Sequence, residues 1–257
     1  MAECILWERY LPDLGLGRHT VCYDEVNSTM DTAWAIVEHG PAHGLAVQSL
    51  EQRSGRGRFG RRWEGGRAES LLQSVIVVAD AGTLASLSMA ACVAVVHAAE
   101  SLAGVACRIK WPNDVHVGGR KLCGVLVESR VDTDGNGVAV VGYGLNVNAV
   151  PATISELKGV STSLAGEAGR RFDLTAASDA MLATLDAAYT GLAQGDTLQA
   201  YRRLVDTTGR VVTVRQGEAH LEGVAEGISG SGALILRTAD GTAHELNDGE
   251  VTVTRVG

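Results

Sequence analysis

The stretch from Glu51 to Trp63, EQRSGRGRFGRRW, constrains this chain more than any other, because no ordinary helix or strand has that composition. Arg53, Arg56, Arg58, Arg61 and Arg62 are interleaved with Gly55, Gly57 and Gly60. Glycine loses more backbone freedom on folding than any other residue. Guanidinium groups stay charged and repel one another until an anion arrives. The segment reads as a flexible loop that orders around a negative ligand. A solvated basic surface loop is the plain alternative, and the rest of the chain decides between the two.

A chain of 257 residues is long enough for one large domain and a small one, and 46% hydrophobic with 20% charged residues is the balance of a globular protein. The formal net charge of −8 makes the loop a basic island on an acidic protein. That opposes a general nucleic-acid binder, whose binding face is basic, and favours one local anion site. The opening MAECILWERYLPDLG has acids and a proline where a secretion signal needs a basic start and an apolar run. No apolar run reaches the ~18 residues of a membrane span. Cys4, Cys22, Cys92, Cys107 and Cys123 are odd in number and never spaced as CxxC. They read as reduced thiols of a cytoplasmic protein, not as a disulfide frame or a zinc site.

Hydrophobic periodicity places the loop among regular elements. HTVCYDE from His19 reads as the first strand, and Asn27 or Ser28 caps a helix with Met30, Ala33, Trp34 and Val37 on one face. A second strand from Gly44 delivers the chain into the arginine loop, and SLLQSVIVVAD leaves it as a third. TLASLSMAACVAVVHAAESLAG reads as one long buried helix. A short strand from Cys107 is broken by Pro112 and resumes at Val115, and Gly118-Gly119 marks a hairpin. The strand opening at Lys121 and the strand VAVVGYGLNVN are nearly continuous apolar runs, as in a sheet covered on both faces. Strands arriving in hairpins after one βαβ-like unit favour a mixed α+β sheet over a doubly wound one. Helices follow over Leu174 to Gly191 and Thr197 to Val205. Near Asp206 to Gly209 the texture changes to short strands with Gly and Asp turns, the pattern of a small β-barrel. This gives a larger domain over 1–207 and a barrel over 208–257.

Polar or glycine-rich residues interrupt these elements where structure alone does not ask for them. In Lys110-Trp111-Pro112-Asn113-Asp114 a proline keeps its predecessor extended and presents a lysine, an amide and a carboxylate together; an ordinary Pro-Asn-Asp turn is the competing account. Lys121 enters an apolar strand, either to meet a specific partner or to snorkel at an edge. Gly142 and Gly144 alternate, clearing one face as if a flat ligand lay there, unless they mark a bulge. Ser28-Thr29 offers hydroxyls and free helix N–H groups, or simply a cap.

Taken in order, Ser-Thr, GRGRxGRxW, KWPNDV, KLxGxLVE and GxGxNxN resemble the biotin protein ligases, over roughly residues 20 to 150. The resemblance implies a class II aminoacyl-tRNA-synthetase/biotin-ligase-like catalytic domain and an SH3-like C-terminal β-barrel. It implies biotin contacts at Ser28, Thr29, Met30, Gln52, Arg56, Gly57, Arg58 and Lys121, with Gly142 and Gly144 lining the pocket. ATP is implied at Arg61, Lys110, Asn113 and Asn146, with Trp63 and Trp111 walling the two halves. Met30 and Phe59 depart from the commoner Asn and Arg. The family's repressor members carry an N-terminal winged-helix domain for which the first strand, near residue 19, leaves no room; the expectation is the monofunctional type.

The implied reaction joins biotin's carboxylate to the α-phosphate of ATP, with Mg²⁺ on the phosphates. It then passes the biotinyl group to a lysine of the biotin carboxyl carrier domain of acetyl-CoA carboxylase or a related enzyme. Arg58, Arg61, Lys110 and Lys121 are the expected anion clamps, and Asp114 is expected to guide or accept the acceptor lysine's proton. The arginine loop is expected to fold over the adenylate. No nucleic acid or membrane partner is expected, and a homodimer through sheet edges is left open. A lipoate or octanoyl ligase of the same fold, and a nucleic-acid-binding module, are the rivals.

Overall fold

The computed structural model describes residues 4–40, 42–149 and 160–253. Eight strands form one sheet in the order β1-β2-β3-β4-β8-β7-β6-β5: β1 (Ile5–Tyr10), β2 (His19–Val26), β3 (Leu45–Gln52), β4 (Ser70–Asp80), β5 (Arg108–Lys110), β6 (Asp114–Val117), β7 (Arg120–Val131) and β8 (Asn136–Asn146). Only β2 and β3 run parallel, joined through helix α1 (Thr29–Val37); every other neighbouring pair is antiparallel. The mixed α+β sheet expected from the hairpins is present. His19 does not open it, however: β1 precedes and pairs with β2 at the sheet edge.

Both faces of the sheet are covered, which explains the unbroken apolar runs. Val47, Ile76 and Val140 face α1 with Met30, Ala33 and Trp34. Their chain neighbours Ala46, Val75, Val77, Ala139 and Val141 face the opposite core, as the two-residue period of a strand requires. That second core is built on α3 (Leu87–Ala103) and α5 (Leu174–Thr190), which pack together, with α4 (Leu164–Ala168) and α6 (Asp196–Leu204) against α3. Each fully buried Val, Leu or Ile contributes about 1.5–3 kcal/mol.

The long helix expected from Thr83 is two. Asp80 caps α2 (Ala81–Ala85) by accepting from Thr83 N at 3.0 Å, and Ser86 turns its hydroxyl to Gly82 O at 3.2 Å, where α2 stops and α3 begins. The strand expected to resume after Pro112 instead reverses. β5 and β6 pair as a hairpin with Lys110 opposite Asp114, so Trp111-Pro112-Asn113 is its turn.

The C-terminal strands β9 (Val211–Gln216), β10 (Ala219–Ile228), β11 (Leu234–Thr238), β12 (Ala243–Leu246) and β13 (Glu250–Val253) are ordered β12-β11-β10-β9-β13. Among the described residues β12 and β13 do not pair, so the expected barrel is an open antiparallel sheet. Trp111 locks this sheet to the larger one. Its backbone N–H donates to Thr207 Oγ1 at 3.1 Å and its indole N–H to Gly232 O at 3.1 Å.

Candidate active site

The arginine loop is a closed hairpin. Gly57 N donates to Arg61 O at 2.7 Å and Trp63 N to Gly55 O at 2.8 Å, around a 3₁₀ turn at Arg58–Gly60. Gly55 has no alternative, because a Cβ there would lie 2.5 Å from Trp63 O and 2.7 Å from Gln52 Nε2. The loop does not wait for a ligand to balance its charge. Arg56 pairs with Asp31 and, at 3.2 Å, with Glu128; Arg58 pairs with Asp248; and Arg61 pairs with Glu250. Arg53 pairs with Glu25 at 2.5 Å on the surface, the plain reading for that residue, whereas Arg62 reaches the cavity rim.

Under the loop lies a cavity of about 410 Å³, within the size range of small-molecule sites. Ser28, Thr29, Met30, Gln52, Arg56, Gly57, Arg58, Arg61, Trp63, Lys110, Asn113, Asp114, Lys121, Gly142, Gly144 and Asn146 all line it. Trp111 does not. It is 2% exposed and serves the contact with the C-terminal sheet instead.

At one end, Ser28 caps α1 and Thr29 donates its N–H to Gln52 Oε1 at 2.8 Å. That contact fixes the Gln52 amide with its oxygen inward and its –NH₂ toward the loop. Thr29 Oγ1 also meets Ser74 Oγ at 2.8 Å. The face cleared by the glycines is filled from within the chain. A Cβ on Gly142 would lie 2.5 Å from Met30 Sδ, and one on Gly144 would lie 2.2 Å from Trp63 Cε2. The flat group against the backbone is the Trp63 indole, whose Nε1 is buried without a partner.

At the other end, the β5–β6 turn is pinned to β7: Asn113 Nδ2 donates to Val125 O at 2.6 Å, and Val125 N to Asn113 O at 3.0 Å. Asn113 Oδ1 accepts from Arg58 at 2.8 Å. Lys121 Nζ lies 2.5 Å from Asp114 Oδ1 and 5.5 Å from the Trp63 ring centre. Burial pushes the Asp114 carboxyl upward, but the His116 imidazole and the Lys121 ammonium outweigh it and hold the group at about 2. Burial in turn pulls the Arg58 guanidinium down from its ordinary value. The Lys110 side chain lines the cavity without an ion pair or hydrogen bond among the described residues. Asn146 gives its –NH₂ to Thr162 O at 3.0 Å and leaves Oδ1 buried and unpaired.

Sequence reasoning missed several wall residues. Gly249, Glu250 and Val251 reach the cavity from the C-terminal sheet, a proximity that local sequence does not encode. His116 and Tyr143 also line it. His116 follows Asp114 by two positions in a strand and so shares its face, a signal the alternation already carried. The arrangement can bind a small molecule with an apolar body and an acidic end beside a second, polyanionic ligand, and can bring the two acidic groups together.

Residues 23–148 match the Biotin/lipoate A/B protein ligase family, which sets the class, and residues 207–253 match the biotin protein ligase C terminal domain. The Bifunctional ligase/repressor BirA of Bacillus subtilis is 31% identical over 235 residues, covering 88% of this chain and 71% of that protein. The Biotin--[acetyl-CoA-carboxylase] ligase of Paracoccus denitrificans is 35% identical over 203 residues, covering 74% of this chain and 83% of that protein. The fold matches a biotin protein ligase from Aquifex aeolicus solved with biotin and ATP, with a TM-score of 0.75, 24% identity, and coverage of 92% of this chain and 98% of that one. The chain belongs to the biotin protein ligase family.

Proposed function

We propose that this chain activates biotin with ATP and transfers the biotinyl group to one lysine of the biotin carboxyl carrier domain of acetyl-CoA carboxylase or a related carboxylase. One observation carries the reading: Arg58, Lys110 and the Lys121–Asp114 pair converge on a cavity whose other wall is Met30, Gly142 and Gly144. Biotin lies against Ser28, Thr29, Met30, Gln52, Arg56 and Gly57, in the space that Gly142 and Gly144 leave for Met30 and the Trp63 indole to recede, with its carboxylate toward Arg58 and Lys121. ATP lies toward Arg61, Trp63, Lys110, Asn113 and Asn146. The unpaired Trp63 donor and Asn146 acceptor support this half, because a buried unpaired polar group costs about 1–3 kcal/mol until something satisfies it.

In the first step a carboxylate oxygen attacks the α-phosphorus and pyrophosphate leaves. Two anions must meet, so the main obstacle is repulsion, and cations fixed beforehand lower it without reorganising. Mg²⁺ carried in with the nucleotide would neutralise further phosphate charge beside Arg61 and Lys110. In the second step the carrier amine attacks the mixed anhydride and AMP leaves. No enzyme nucleophile is needed, consistent with the buried Cys92 and Cys123, whose thiols burial pushes up. Asp114, held at about 2, is a weak proton acceptor and serves by guiding the ammonium and anchoring Lys121. The cytoplasm, where its cysteines stay reduced, is the proposed compartment; no helix among the described residues is long and apolar enough to cross a membrane.

Mass analysis of a carrier domain incubated with the chain, ATP and biotin tests the reading. One biotinyl group on one lysine is expected. Modification by lipoate or octanoate with none by biotin overturns it in favour of the sister ligases.

A further inference from the structure

His116 occupies a place in the cavity wall that neither step above uses. It lies two residues beyond Asp114 on β6, so both side chains leave one face of the sheet. The pairings Arg108↔His116, Lys110↔Asp114 and His116↔Lys121 bring the charged groups of β5 and β7 to that face. Arg108 is engaged elsewhere, donating to Arg203 O at 3.2 Å. From α3, on the other side of the strand, comes Cys92, whose thiol feels the Asp114 charge and is kept protonated by burial.

One ring nitrogen has a defined task. Nδ1 lies 3.2 Å from Gly119 O, and because a carbonyl only accepts, the Nδ1 hydrogen is there. The lone pair of the neutral ring is then on Nε2, which is buried without a partner. Nε2 stands 4.0 Å from Asp114 Oδ2, beyond hydrogen-bond reach. Lys121 holds the other carboxylate oxygen at 2.5 Å. A proton on Nε2 would turn an unsatisfied acceptor into a donor facing a free carboxylate oxygen. This is a base oriented by a carbonyl on one side and stabilised, once charged, by a carboxylate on the other.

We propose that His116 is the proton acceptor of the transfer step, taking by way of Asp114 the proton that the carrier-domain lysine must lose. The N–H bond of the carrier ammonium breaks and an Nε2–H bond forms. The freed electron pair makes the C–N bond to the biotinyl carbonyl, and the C–O bond to the nucleotide breaks with its pair leaving on AMP. The amine's second proton passes to solvent. The Lys121 ammonium 2.5 Å from its other oxygen makes Asp114 a weak base, so a further acceptor is needed. The inference rests on the ligase reading given above.

The test is His116→Asn in the full chain, with three measurements: biotin-dependent exchange of pyrophosphate into ATP, transfer from preformed biotinyl-AMP to the carrier domain across pH, and reaction of the same bound adenylate with hydroxylamine. Hydroxylamine is neutral at pH 7 and needs no base. Exchange and the hydroxylamine reaction are expected to change by no more than about threefold. Carrier transfer is expected to fall about a hundredfold at neutral pH, as for loss of a general base, and to recover as pH rises toward the lysine's own pKa of about 10.4. Transfer that is unchanged in rate and pH profile overturns the inference, and so does a parallel fall of all three rates. In either case wild-type exchange leaves the ligase reading standing. Absence of biotin-dependent exchange in the wild type overturns both.

Discussion

The indole of Trp63 lies flat on the backbone of Gly144: a Cβ built there would stand 2.2 Å from Cε2 and 2.3 Å from Nε1. One residue ends the arginine loop and the other lies near the end of a central strand, so this contact seats the loop on the sheet. A rigid ring cannot yield as a flexible side-chain end would. Gly144→Ala should therefore cost about 1–3 kcal/mol through overpacking and expel Trp63 from the wall. Thermal denaturation and nucleotide affinity should both worsen. Adding Trp63→Ala should restore stability but not affinity, and restored affinity would contradict Trp63's role in the site.

Arg58 donates to Asn113 Oδ1 at 2.8 Å and pairs with Asp248, tying the loop to the β5–β6 turn and the C-terminal sheet. Arg58→Gly removes that tie and a cation beside the activated carboxylate. Release of free biotinyl-AMP should rise about tenfold or more, the equivalent of one ~1.4 kcal/mol charge-assisted contact. Retention at the wild-type level in an adenylate-release assay would refute the loop's role as a lid.

Asp114 carries a pH signature. Its folded pKa of about 2 lies below the ordinary carboxylate value of about 3.9. The pairing thus contributes about 2 kcal/mol of stability, complete above about pH 5 and lost as pH falls through about 2. Lys121→Ala removes one of the two partners, the other being His116, that hold the value down. Acid unfolding followed by circular dichroism should begin at higher pH in this variant, with a smaller difference in the most acidic range. An unshifted acid limb would mean that Lys121 does not set the Asp114 charge.

Asp248 and Glu250 hold Arg58 and Arg61 through partly exposed pairs, each worth under ~1 kcal/mol. The double variant Asp248→Asn with Glu250→Gln should barely change global stability but should open the loop to trypsin at Arg56, Arg58 and Arg61. Biotin with ATP should restore protection. Cleavage no faster than in the wild type would show that the hairpin's own backbone bonds hold it.

Much of this was legible because it is local or periodic. Alternation located β2, continuous apolar runs located β7 and β8, Ser28 marked a helix start, and Gly118-Gly119 marked a hairpin. The motifs named residues that the fold does bring to one cavity. What was illegible depends on distance or on competition. Asp248 and Glu250 meet arginines from the far end of the chain. The long apolar helix gave way at Ser86, where a side chain competes with the backbone for its own hydrogen bonds. The glycines of β8 suggested a flat ligand, but the side chains lying against them are Met30 at Gly142 and the loop's own Trp63 indole at Gly144. The C-terminal turns gave the strands but not whether the sheet closes.

The central claim is that these residues join biotin's carboxylate to the α-phosphate of ATP. Exchange of labelled pyrophosphate into ATP measures that step alone. The account predicts exchange that begins when biotin is added, does not begin with lipoate, and falls about a hundredfold in Lys121→Ala, the scale of one lost electrostatic stabiliser. Exchange indifferent to biotin, or undiminished in Lys121→Ala, would contradict it.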